Sequence, residues 1–133
     1  MGEPVKIIEV RTTSHRQMVD MTTKIENALS GIDEGLCHVH IPHTTAAVII
    51  NENADPDVQR DLLAAYETLI PNINFKHTEG NSDAHFLATL LGPSVAIPVA
   101  GGRLKLGTWQ GVYFVELDGP RLRKVWISEV ENS

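Results

Sequence analysis

"LCHVHIPHTTAAVIIN", residues 36 to 51, decides how this chain folds. Cys37, Val39 and Ile41 alternate with His38 and His40, so an extended segment here has one apolar side and one side carrying two imidazoles. The apolar run from Ala46 to Ile50 reads as a second strand, and the "PHTT" corner is short enough for the two strands to pair as neighbours. His43 follows Pro42 and keeps the parity of the apolar side. It therefore emerges at the end of the core face and not beside His38 and His40.

Working outward, "VKIIEVRTT" (5–13) and "RQMVDMT" (16–22) read as strands. A helix is expected from Thr23 to Ser30, with Thr23 and Glu26 at capping-box spacing and Gly31 as its stop. "DPDVQRDLLAAYETLIP" (55–71) is the clearest helix, with Asp55 as N-cap, Pro56 in the first helical position, Pro71 closing it, and Val58, Leu62, Tyr66 and Leu69 as its buried stripe. A second helix is expected from Ser82 to Leu91, capped by Ser82 or Asp83 and ended by Gly92 and Pro93, with Phe86, Leu87, Leu90 and Leu91 on its apolar side. "SVAIPVA", "RLKLGTW", "GVYFVELDG" and "LRKVWISEV" follow as strands between glycine turns. Strands at both ends and helices in the middle exclude a doubly wound sheet. The expectation is a single α+β domain over residues 1–133: two mostly antiparallel sheets packed as a sandwich, with about three helices. On the last strand Leu122, Lys124, Trp126 and Ser128 share a semi-apolar face opposite Val125 and Ile127, suited to a subunit contact.

Composition narrows function by exclusion. A net charge of -6 gives no clustered positive field for nucleic acid or anionic membranes. There is no apolar run long enough to span a bilayer and no signal-like start, so a cytoplasmic protein is expected. The single cysteine, Cys37, alternates with core residues and reads as a buried thiol rather than a nucleophile.

Chemistry rests on the histidines. His38 and His40 share a strand face and could hold one metal, though an ordinary polar face explains them as well. His15 reads as a surface residue. His77 and His85 differ: they lie eight residues apart across Gly80, and His85 falls in the first turn of a helix, whose positive end favours the neutral, metal-binding imidazole. Spacing alone leaves them as either a metal pair or polar loop residues.

Three blocks, "HTTAAVIINENADPDVQRDL" (43–62), "HTEGNSDAH" (77–85) with "LLGPSVAIPV" (90–99), and "GRLKLGTWQGVYFVELDGPR" (102–121), resemble the signature blocks of the YjbQ-like family, members of which also carry the name secondary thiamine-phosphate synthase. The resemblance runs from residue 5 to residue 130 in unbroken order. It implies two sheets, a homotrimer, and a divalent metal, usually zinc, on His43, His77 and His85. Three imidazoles leave a coordination position open, as catalytic zinc sites do.

Glu52, Asp61, Glu79 and Asp83 are then candidates to orient the imidazoles, with Glu52 or Asp61 as a catalytic general base. Thr44, Thr45, Asn51, Ser82, Trp109 and Gln110 are candidate substrate-binding residues, and Arg121 is expected to pair with Asp118. The implied activity joins a pyrimidine diphosphate to a thiazole phosphate with loss of diphosphate. Against it, the chain has no glycine-rich phosphate loop opening a helix and no acid cluster for magnesium. Two alternatives stand beside it: a metal-dependent hydrolase of a phosphate ester or related bond, and a trimeric module that binds a metabolite or metal without catalysis.

Overall fold

The computed structural model describes residues 5–132. Among them the chain order is β1 (Lys6–Arg11), β2 (Gln17–Asp20), α1 (Thr22–Ala28), β3 (Glu34–His40), β4 (Ala46–Glu52), α2 (Pro56–Leu69), α3 (Ser82–Leu91), β5 (Ser94–Ala100), β6 (Arg103–Leu104), β7 (Gln110–Glu116) and β8 (Leu122–Glu131). The strands form two antiparallel sheets, one ordered β1-β8-β3-β5-β6 and the other β2-β7-β4.

The expected β3–β4 pairing is not made. β3 lies between β5 and β8, and β4 pairs with β7, so the "PHTT" corner carries the chain from one sheet to the other. The reason is visible at the corner: the Ile41 N–H donates to the Pro93 carbonyl at 2.7 Å and the Val48 N–H to the Gly92 carbonyl at 3.2 Å, so the corner is tied to the turn after α3. β3 is thereby paired on both sides, by β5 and β8, and β4 on one side, by β7.

The molecule has three layers. Cys37, Val39, Ile41, Ile97, Val125 and Ile127 of the larger sheet pack against Val48, Val112 and Phe114 of the smaller one, with Ile25 and Met21 closing one side. Ala47, Val115 and Leu117 point the other way, against Tyr66, Ala84, Leu87 and Ala88 of α2 and α3. β7 is thus covered on both faces, and each large side chain buried there contributes roughly 1.5–3 kcal/mol of transfer free energy.

Local signals set the helix ends with some departures. Asp55 caps α2, its carboxylate accepting the Asp57 N–H at 2.9 Å, with Pro56 following. The α2 stripe continues from Tyr66 to Ile70 instead of Leu69, which is exposed, because i+4 spacing follows the sheet where i+3 leaves it. Of the expected α3 side, Leu87 is buried and Phe86 and Leu91 pack against the same cluster, joined by the buried Ala84 and Ala88, whereas Leu90 is exposed.

α1 starts at Thr22, whose N–H and hydroxyl both donate to Asp20 Oδ1, at 2.9 and 2.6 Å. The expected capping box is absent, since Glu26 accepts from the Leu104 N–H at 3.1 Å and the Arg103 Nε at 3.4 Å. α3 has Asn81, not Ser82 or Asp83, at its N-cap, with no side-chain cap bond. "RLKLGTW" is strand only over Arg103–Leu104. The outer face of the five-stranded sheet carries exposed Ile7, Leu36, Leu122, Trp126 and Val130, as the alternation in β8 leads one to expect.

Candidate functional site

The crossing between the sheets positions His43. Its half-buried ring lies against β8, where the Lys124 N–H is 2.9 Å from Nε2 and the Lys124 carbonyl 3.2 Å from the same nitrogen. Whichever tautomer forms, Nε2 is committed to this backbone, and Nδ1 is the nitrogen left to meet a ligand. Burial first, and then the positive charge of Arg123, hold this imidazole below the ordinary histidine pKa, in its neutral form.

Behind His43 lies a buried ion pair that sequence reading missed. Arg123, 2 % exposed, and Glu116, 0 % exposed, face each other with Arg123 Nε donating to Glu116 Oε1 at 2.8 Å and Nη2 to Oε2. The Thr12 hydroxyl donates to the same Oε1 at 2.8 Å, and Arg123 Nη2 donates to the Thr45 hydroxyl at 3.0 Å. Burial alone would raise the Glu116 pKa, but these hydrogen bonds outweigh it and hold the carboxyl below its usual range. Thr45 is therefore a buried partner of this pair and does not line the cleft expected of it, whereas Thr44 does.

His85, in the first turn of α3, stands between two openings. On one side His43, Thr44, Ala46, His85 and Thr89 line a cleft of 280 Å³. On the other His77, Ser82 and His85 line a cleft of 300 Å³. The His77 and His85 rings meet edge to face with centroids 5.5 Å apart. The three histidines thus come from a corner, a loop and a helix start to one end of the smaller sheet. They do not close on one point: among the described residues no three His, Cys, Asp or Glu side chains are close enough to hold a single ion in this conformation.

Imidazole nitrogens such as those of His77 and His85 are donors that suit a dication, and His43 lines the other cleft that His85 borders. Of the candidate orienting acids, Glu79 lies 3.9 Å from His77. Asp83 is committed to Arg16 Nη2 at 2.6 Å, an ion pair that lowers its pKa against the opposing effect of burial. Arg16 also bonds Glu67 and the Leu117 carbonyl, so it locks α2 and α3 to the sheet.

The remaining candidates lie elsewhere. Glu52 pairs with Gln110 and Asn51 with Gly111, at the far end of β4 from Ala46. Six strand steps of about 3.3 Å put Glu52 roughly 20 Å from the histidine end. Asp61 is exposed on α2, two residues after Gln59, whose amide donates to the Glu52 carbonyl. Trp109, 63 % exposed, hangs on the same end, its carbonyl accepting the Asn53 N–H at 2.9 Å. Within one chain, then, neither Glu52 nor Asp61 reaches the histidines as a base, and Asn51, Trp109 and Gln110 do not line their cleft.

Other expectations hold. Arg121 pairs with Asp118 at 2.6 Å. Cys37 is buried, and burial, then the charge of Glu129, pushes its thiol pKa up to about 11. His15 is exposed near Gly119 and Asp118. His38 and His40 lie on the outer sheet face with rings nearly parallel, centroids 6.2 Å apart, and His40 against Trp126 at 5.6 Å.

Two antiparallel sheets backed by helices, with a histidine-lined cleft where the chain crosses between sheets, define the class. The family profile described as UPF0047 protein YjbQ-like matches residues 6–132, and the chain belongs to that family. It is 44% identical over 122 residues to a UPF0047 protein of Methanocaldococcus jannaschii, covering 90% of this chain and 88% of the relative. With YugU of Bacillus subtilis the identity is 43% over 127 residues, 92% and 96% of the two chains. Among solved structures, a hypothetical protein of Aeropyrum pernix superposes with a TM-score of 0.91 at 41% identity, covering 98% of this chain and 100% of that one. An uncharacterised YjbQ/UPF0047 protein of Clostridium acetobutylicum gives 0.90 at 46% identity, covering 94% and 99%.

Proposed function

We propose that this protein is a metal-dependent enzyme acting on a small phosphorylated heterocycle at the histidine cleft, with transfer of the thiamine-phosphate synthase type as the leading reaction. The observation that carries the reading is that His43, His77 and His85, remote in sequence, line two adjoining clefts that share His85. His77 and His85 would hold the ion, a divalent metal such as zinc, with His43 Nδ1 turned to the same ligand. The ion would supply Lewis-acid stabilisation of a phosphate oxygen.

The chain's own groups supply the rest. In the tautomer where the His43 Nε2–H donates to the Lys124 carbonyl, 3.2 Å away, the Nδ1 lone pair is free for the ion. The Thr44 and Ser82 hydroxyls border the clefts as hydrogen-bond donors. The first turn of α3 adds the partial positive charge of a helix start, which favours an anion beside His85.

Hydrolysis of a phosphate ester is the second reading, favoured by the lack of a diphosphate-cradling loop. A homotrimer is part of the proposal. The test incubates the zinc-loaded protein with the two thiamine precursors and with a panel of phosphate esters. Thiamine phosphate lost in His43→Ala and His85→Ala supports transfer, and ester hydrolysis alone supports the second reading. Tight binding without product by the zinc-loaded wild type refutes both.

A further inference from the structure

A third opening adjoins the two that the histidines line, and the chemistry described so far leaves it unused. Ile70, Phe75, His77, Gly80, Ser82 and Asp83 border a cavity of 350 Å³ between the end of α2, the loop that follows and the start of α3. It shares His77 and Ser82 with the cleft of His85, so one small molecule can extend from the cavity into the cleft. Its size is at the low end of the roughly 300–1,000 Å³ of small-molecule sites, which suits a single ring and not a dinucleotide.

From Asn72 to Gly80 every residue is exposed except Phe75, which is half-buried. Its ring belongs to neither hydrophobic cluster, although Ile70, which borders the same cavity, packs against the one between the helices and the smaller sheet. An aromatic ring that lines a cavity without joining a core offers a flat apolar face to a planar partner. The other aromatic side chains are committed elsewhere. Tyr66, Tyr113 and Phe114 are buried, and Phe86 packs against the helix-side cluster. Trp126 stands against His40 on the outer sheet face, and the Trp109 backbone is tied to Asn53 beyond the far end of β4.

The polar groups at the cavity accept a phosphate beside the ring. Asp83 is neutralised by Arg16, whose Nη2 donates to its carboxylate at 2.6 Å. Glu79 is exposed, and water and salt screen its charge. Ser82 offers a hydroxyl and His77 an imidazole where the cavity meets the cleft.

We infer that Phe75 and Ile70 form a ring subsite of the histidine cleft: the substrate is a phosphate ester of a single planar ring, which stacks on Phe75 with its phosphate at His77, Ser82 and His85. This rests on the cleft being the functional site. It makes Phe75 a specificity-determining residue and supplies the flat wall that Trp109 does not provide there.

Two probes that cannot be hydrolysed, phenylphosphonate and methylphosphonate, test the subsite without turnover. Titration calorimetry of the zinc-loaded protein is expected to show phenylphosphonate bound about ten-fold more tightly, the size of an aromatic contact with its buried area. Phe75→Ala is expected to bring the two affinities within about two-fold, with methylphosphonate binding, zinc content and thermal midpoint unchanged, because the ring packs in neither cluster. Phe75→Tyr is expected to keep the preference. In wild type, nuclear Overhauser effects from the phenyl protons of the probe should reach the Phe75 ring.

Equal affinity for the two probes in wild type, or a preference that survives Phe75→Ala, would overturn the subsite and leave the metal site standing. So would a Phe75→Ala chain whose midpoint falls together with its affinity for both probes. A ring preference shown by a wild type that binds no zinc defeats the metal reading alone. Binding of neither probe defeats both.

Discussion

Arg123→Met removes one half of the buried pair and leaves Glu116, 0 % exposed, with its charge facing an apolar chain. Breaking a buried, hydrogen-bonded pair this way costs about 3–5 kcal/mol, most of it the cost of the stranded carboxylate. A domain of this size holds only about 5–15 kcal/mol in all. At about 3–5 °C per kcal/mol for such a chain, the midpoint should fall by roughly 10–20 °C at pH 7.

Differential scanning calorimetry measures it, with Arg123→Met/Glu116→Leu as partner: removing both charges should restore most of the loss. The Glu116 carboxyl has a lower pKa folded than unfolded. Its stabilisation is therefore complete above the ordinary glutamate range of about 4.3 and fades as pH falls through the lower folded value. Without Arg123, burial raises the pKa of the stranded carboxyl, so the deficit of Arg123→Met should begin to shrink already above the ordinary glutamate value of about 4.3 and go on shrinking as wild type loses its own pair in acid. A drop under about 1 kcal/mol at pH 7, or a deficit that does not change with acid, would refute the assignment of this pair as a buried charge held by its partners.

Other outcomes follow from the same structure. Asp55→Ala removes the α2 cap and should cost about 1 kcal/mol by urea denaturation, with activity and metal content unchanged. Gly35→Ala places a Cβ 2.0 Å from the Val130 carbonyl oxygen, so β3 and β8 must separate; about 3 kcal/mol or more should be lost, and a variant as stable as wild type would contradict the register. Cys37, with its thiol pKa pushed up to about 11 and no exposure, should resist thiol reagents at pH 8 until the protein unfolds.

What the sequence made legible is local. α2 could be read to within two residues because Asp55, Pro56 and Pro71 each act on the backbone beside them. The Gly92 stop and the Gly101–Gly102 turn were readable for the same reason, each glycine taking a positive φ. His77 and His85 could be paired because one flexible loop joins them. The partners of β3 and β4 were not legible, since alternation tells which face is buried and not which strand lies alongside.

A signal was nonetheless present. The uninterrupted run Ala46–Ile50 marks a strand covered on both faces, which a half-exposed hairpin partner of β3 would not be. Likewise Glu116 sits inside the apolar run of β7, and Arg123 shares the inward parity of Val125 and Ile127; two charges on inward faces imply that they meet. The separation of Glu52 and Trp109 from the histidines had no such signal, because strand length, not motif, sets it.

Zinc binding by the purified apoprotein tests the central claim most directly, followed by calorimetric titration of wild type and His77→Ala/His85→Ala. Wild type is expected to bind zinc at one tight site per chain, His77→Ala/His85→Ala to lose it, and His43→Ala to bind more weakly. Equal binding in all three proteins would contradict it.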